Sequence, residues 1–260
     1  LKSCLAEPHQ VCEPAVHASY QSQMTVLGKC TAGLHLAFAK TTGDSAFDPE
    51  VTSVSGFLAQ TEQLQANLTN YTAEHSSETV QRLRAALQRI FERLVIQPNA
   101  FQLAVSRIHG NFHLDQVLMA HNNFIIIDFE GDPNQPLETR RTKKLPLADV
   151  ANLCFSLCLA GSQVQQRHFS EYTEHRDSFA VNARQWLTVS VEAFLGGYYD
   201  AIAGCCTHPN SAELSRDLLQ LFLIDRLLLE FNRLDADQAA LLESFVLILF
   251  DFLEQTTLLR

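Results

Sequence analysis

The chain changes its hydrophobic period once, briefly, in the middle. Leu103 to Ile108 and Phe124 to Asp128 are short apolar runs rich in β-formers, with His121-Asn122-Asn123 as a turn before the second. On either side the apolar residues recur at three- and four-residue steps, the signature of helices that bury one face. The clearest case is Glu78 to Val95, where Val80, Leu83, Leu87, Ile90, Phe91 and Leu94 fall on one face and Arg and Glu on the other. Met24 to Lys40, Phe57 to Asn67, Leu147 to Ala160, Ala183 to Ala203, Ala212 to Phe231 and Gln238 to Glu254 read the same way, with Asp235 or Asp237 as cap of the last. Two short strands cannot make a sheet large enough to carry a core. The expected fold is therefore mainly α with a small β-hairpin within residues 103–130.

Composition narrows the functions this fold serves. At 260 residues, 47% hydrophobic and 18% charged, the chain has the apolar content to fold and bury a core. Its formal charge of -10 and its single short basic cluster, Arg140, Arg141, Lys143 and Lys144, exclude a nucleic-acid-binding stripe. No uninterrupted apolar run approaches the ~18 residues of a membrane span, and the first residues lack the apolar stretch of an export leader. Seven cysteines, an odd count without zinc-type spacing or an export leader, fit a reducing compartment, so a cytoplasmic location is expected. Cys154 and Cys158, four apart, share a helix face and read as core.

Chemistry concentrates in residues 109–130. A strand ends at Ile108 and is followed by His109-Gly110-Asn111-Phe112-His113-Leu114-Asp115-Gln116; the next strand ends in Asp128-Phe129-Glu130. An acid leaving an apolar strand is desolvated on one side and aimed at the strand's mouth. Gln116 adds a neutral amide oxygen from the loop that the hairpin returns to Asp128. Hard cations such as magnesium take oxygen ligands of this kind. Phosphoryl transfer needs such a pair beside a group that receives the acceptor hydroxyl's proton.

These motifs resemble the catalytic segment of the maltokinase family, within the aminoglycoside-phosphotransferase and protein-kinase-like superfamily. There the pattern is His-Gly-Asp-x-His-Leu-Gly-Gln followed by Asp-Phe-Glu-Gly. Asp132-Pro133, Pro136-Leu137, Arg140-Arg141 and Pro146 to Ala151 have counterparts downstream, as do Leu27-Gly28, His35 and Ala46 to Glu50 upstream. Trp186, Phe194-Leu195 and Gly197-Tyr198 fit the later helix, so the likeness runs over roughly residues 25–230. It implies the helical C-terminal lobe of a protein-kinase-like fold over residues 25–260, with 1–24 a remnant or linker. It further implies ATP and Mg2+ as cofactors, Gln116 and Asp128 as metal ligands, Glu130 beside them, and His109 and His113 as shapers of the catalytic loop. Asp149 would brace that loop from the next helix. Arg140 and Arg141 are candidates either to neutralise phosphate or to lie in a solvated loop. The implied reaction is phosphoryl transfer from ATP to maltose or a related sugar, giving maltose 1-phosphate, and members of the family also occur fused to a trehalose synthase domain.

Three departures qualify what the resemblance implies. Asn111 stands where the family has the catalytic Asp. Its amide can orient a hydroxyl but cannot take up its proton at neutral pH. Asp115, where the family has Gly, lies four residues on and is expected to point elsewhere. Ahead of residue 103 nothing reads as the lysine-bearing β lobe that covers ATP in such kinases, so an N-terminal lobe is expected to be missing. Finally, Leu229 replaces an expected Tyr near the sugar site, although Glu230 is kept. Two expectations follow: a sugar-kinase lobe incomplete on its own, or a pseudokinase-like module that keeps the fold for binding.

Overall fold

One helix is apolar around most of its circumference, and the others are arranged about it. In the computed structural model this is α4 (Leu147–Glu171), whose Leu147, Val150, Leu153, Cys154, Leu157 and Cys158 are each 2% exposed or less. Its length and composition would suit a membrane span, but 61% of its most apolar window is buried inside the protein. It packs against α5 (Arg176–Ile202), α6 (Ala212–Phe231) and α7 (Ala236–Gln255). Burial of Cys154 and Cys158 pushes both thiols far above their usual range, so they are core side chains and not reactive ones. The structure describes residues 18–52, 78–96, 103–121, 123–171, 176–209, 211–231, 234 and 236–256, together with isolated positions between 57 and 69.

The N-terminal helix α1 (Ala18–Phe38) lies along α5 at a separation that only glycine permits. A methyl group on Gly28 would overlap the Phe194 carbonyl and stand 2.7 Å from the Tyr198 nitrogen; one on Gly197 would collide with the Thr25 carbonyl. Two glycines facing each other thus bring the helix backbones together. Leu27, Trp186, Phe194 and Tyr198 seal the seam around them. The helix begins six residues before the expected Met24.

Helix α2 (Glu78–Ile96) buries Val80, Leu83, Leu87 and Ile90, as its period requires, against α6 and α7. The guanidinium of Arg93 grips the Asp217 carboxylate with two hydrogen bonds, that from Nε at 2.9 Å. Burial pushes Asp217 up to about 6 even with Arg93 opposing it. The helix expected over Phe57 to Asn67 falls largely outside the described residues, as does Asp235; Asp237 lies in the first turn of α7.

The β structure departs from the expected hairpin. Strand β2 (Leu103–Val105) pairs antiparallel with β1 (Glu50–Thr52), a strand not foreseen ahead of residue 103. The hairpin proper is β3 (Val117–Ala120) with β4 (Asn123–Ile126). It turns at His121, whose φ of 50 is the left-handed conformation of a tight turn. Between His109 and Met119 the chain makes a single 3-10 turn, Leu114–Gln116. Among the described residues these are two separate two-stranded sheets. A short helix, α3 (Leu137–Arg141), carries Arg140 and Arg141, for which a solvated loop was one expectation.

Candidate functional site

Asp149, in the first turn of α4, is completely buried, yet three donors reach it. The His109 amide donates to Oδ2 at 2.7 Å and the Gly110 amide to Oδ1 at 2.9 Å. The Nε2 of His35, from α1, lies 3.3 Å from Oδ2. One carboxylate thus fixes two successive peptide groups, and Gly110 meets that geometry with a φ of 80. The expected brace is present, and it continues outward. Tyr198 of α5 places its hydroxyl 3.0 Å from His35 Nδ1. Burial drives the Tyr198 phenol well above its usual range, so it keeps its proton and donates to Nδ1, while Nε2–H donates to Asp149. Tyr198, His35, Asp149 and the loop backbone form one buried chain.

The His109 ring is committed in a second direction. Its Nε2 lies 2.8 Å from the Ile127 carbonyl and its Nδ1 accepts the Asn111 amide at 3.4 Å. Both nitrogens are thus engaged, and Phe112 and Phe129 pack on the ring at 5.3 and 5.1 Å, so the His109 side chain is held within the loop. Ile127 is held from both sides, because its amide donates to the Gln116 carbonyl at 3.0 Å. Asp128 follows directly, exposed, with a φ of 67. A non-glycine residue in the left-handed region is uncommon, and Asp is among the few side chains that tolerate it. The clamp on Ile127 holds Asp128 in place at the open end of the hairpin beside Gln116.

Electrostatics agree with that placement. Burial lowers the pKa of His113, while Asp115 and Asp128 act to raise it. His113 is therefore neutral at physiological pH. Its Nε2 lies 3.5 Å from the Gln116 amide nitrogen, which leaves the amide oxygen of Gln116 uncommitted. Among the described residues no group of three or more His, Cys, Asp or Glu side chains gathers as a metal cage. An amide oxygen and one carboxylate are instead the donor set of an ion that completes its shell with water and phosphate oxygens, the usual habit of magnesium. The residues present fit that ion.

Glu130 has a partner of its own. Arg140 of α3 donates to the Glu130 carbonyl at 3.2 Å and approaches its carboxylate at 3.7 Å, packing across Gly131. Arg140 thus ties down the Asp128-Phe129-Glu130 turn. Arg141 receives Arg107 on its carbonyl at 2.6 Å.

Asn111 and His113 border a cavity of about 260 Å³ that runs along α4 past Asn152, Ser156 and Gln163 to Arg226 and Glu230 on α6. The Leu114 amide lies 3.3 Å from the Ser156 hydroxyl, so α4 holds the loop at a second point. Asn152, Ser156 and Arg226 were not singled out by the sequence reading. The signal that finds the first two is a polar stripe, Asp149, Asn152 and Ser156 at three- and four-residue steps, on an otherwise apolar helix.

No known family profile matches the chain. A glucosamine kinase of Streptacidiphilus jiangxiensis is 30% identical over 96 residues, which is 37% of this chain and 20% of that protein. Among solved structures, a glucosamine kinase in complex with glucosamine, ADP and inorganic phosphate aligns with a TM-score of 0.69 at 21% identity, over 95% of this chain and 55% of that one. Two further crystal forms of glucosamine kinase give TM-scores of 0.68 and 0.65, also at 21% identity, over 94% and 90% of this chain. The chain shares their fold and spans about half their length: 53% and 54% of those two chains.

Proposed function

We propose that this chain is the helical lobe of an ATP-dependent sugar kinase of the maltokinase type, in which Gln116 and Asp128 hold magnesium on the nucleotide phosphates. The observation that carries this reading is the double hold on Ile127, by the His109 ring and by the Gln116 carbonyl, which pins the backbone immediately before Asp128 to that of Gln116. The solved structure that binds glucosamine and ADP has the same fold, and that supports nucleotide and sugar as the ligand pair. When bound, magnesium would neutralise phosphate charge. The acceptor sugar is placed in the cavity beside Asn111, where Asn152, Gln163 and Glu230 offer hydrogen bonds to its hydroxyls. Further nucleotide contacts, including the phosphate lysine, are assigned to a second lobe encoded with this chain or supplied by a partner. A trehalose synthase domain is one such neighbour consistent with the resemblance.

Calorimetric titration of magnesium into the chain with ADP tests the reading. Asp128→Asn keeps a residue that accepts the left-handed backbone while removing the charge. It should raise the magnesium concentration needed by at least about tenfold, which corresponds to about 1.4 kcal/mol. Equal titrations for the two proteins would rule out Asp128 as the metal ligand.

A second reading, a binding module without turnover, is favoured by Asn111. The amide accepts a hydrogen bond from the acceptor hydroxyl and orients it, but it cannot itself take up the proton released as the O–P bond forms. General bases contribute about 10²–10⁴-fold. In the full-length polypeptide Asn111→Asp should raise the rate of sugar phosphorylation by at least about tenfold. No change in rate would mean that another group receives the proton, or that the protein works only by binding.

A further inference from the structure

Arg107 stands two residues before His109, and its side chain joins stretches of chain that are far apart in sequence. Its Nε donates to the Ala46 carbonyl at 3.1 Å and its Nη1 to the Arg141 carbonyl at 2.6 Å. The guanidinium also lies over the Phe47 ring, 5.6 Å from its centre. Among the described residues no carboxylate pairs with it, so the planar fork serves to fix geometry and not to neutralise charge. Arg141 is the last residue of α3, and Arg140 beside it holds the Glu130 carbonyl and approaches its carboxylate. A helix of five residues does not stand by itself in water, so what grips its end decides where Arg140 stands. Two other ties reach this region. Ser106 and Lys144 exchange backbone hydrogen bonds at 3.1 and 2.9 Å, and Lys143 donates to the Ser45 carbonyl at 2.6 Å and pairs with Glu50. Both lie past the end of α3, whereas Arg107 acts on the helix's own last peptide group.

We infer that Arg107 is a positioning residue for the metal-binding turn: by holding the Arg141 carbonyl it sets α3, and through Arg140 it fixes the Asp128-Phe129-Glu130 turn. The inference rests on the sugar-kinase reading for what that turn binds, but the loosening it predicts is measured without ligand. Lysine keeps the charge and loses the fork, so Arg107→Lys can reach one of the two carbonyls but not both. In that variant, NMR relaxation should show the amide order parameters of residues 128–131 and 137–141 falling from the rigid value of about 0.85 toward about 0.6. Those of Ser106 and Lys144, joined by their own backbone bonds, should stay rigid. The magnesium concentration needed with ADP should rise at least about threefold. Phe47→Ala removes the ring beneath the guanidinium at an exposed position, and should give a smaller loosening at the same residues even if the Arg107 variant does not fold. A uniform loss of order along the whole chain, or unchanged order at 128–131 in both variants, would overturn the inference. So would a parent chain that binds magnesium no more tightly than either variant. A parent chain that binds no magnesium, with the local loss of order present in the variants, removes the metal reading alone and leaves Arg107 as the residue that fixes the turn.

Discussion

Replacing Asp149 with Ala should destabilise the protein by about 3–5 kcal/mol, the usual cost of removing one member of a buried charged network. The carboxylate is completely buried and receives the His109 and Gly110 amides and the His35 ring. Alanine would strand all three donors, and each unsatisfied buried group costs about 1–3 kcal/mol. Asp149→Asn should recover little, because its amide group would present donors to a donor. Urea unfolding measures the global loss. Amide hydrogen exchange at residues 109 and 110 measures the local one and should accelerate even where the variant remains folded. A loss below about 1 kcal/mol with unchanged exchange would show that the loop stands without this brace.

Gly28→Ala should cost about 3 kcal/mol, against the ~1 kcal/mol that alanine gains over glycine inside a helix. The atoms in the way, the Phe194 carbonyl and the Tyr198 nitrogen, belong to a helix backbone and cannot rotate aside, so α1 and α5 must separate. Gly33 on the same helix is the internal control. Among the described residues nothing lies within 4 Å of its added methyl group, so Gly33→Ala should stabilise by up to ~1 kcal/mol. Thermal unfolding should move in opposite directions for the two variants, by roughly 2–4 °C per kcal/mol. Shifts of the same sign would refute the close-approach account of the α1–α5 seam. Because α1 also carries His35, a parted seam should loosen the hold on Asp149 as well.

The sequence made the helices and the segment from His109 to Glu130 legible because both are local signals. Val80, Leu83, Leu87 and Ile90 reveal their burial by spacing alone. Asn111, Gln116 and Asp128 sit in a motif only eighteen residues long. Strand partners were not legible. Three residues such as Leu103–Val105 carry no register information, and their partner, Glu50–Thr52, lies more than fifty positions upstream. The expected pairing of 103–108 with 124–128 took adjacency in sequence for adjacency in space. Arg107 was also hidden, because nothing in Val105-Ser106-Arg107-Ile108 shows that its side chain reaches Ala46 and Arg141. The linkage of Tyr198 to Asp149 through His35 joins three helices, and no pattern within one helix encodes it.

The backbone at Asp128 limits what a drifting lineage can leave behind. A φ of 67 admits Asn or Gly at little cost and resists branched or bulky side chains. Both tolerated replacements are one nucleotide change away from an Asp codon. Asp128→Asn and Asp128→Gly are therefore the substitutions that the end of the hairpin absorbs without rebuilding its backbone, and both remove the charge there.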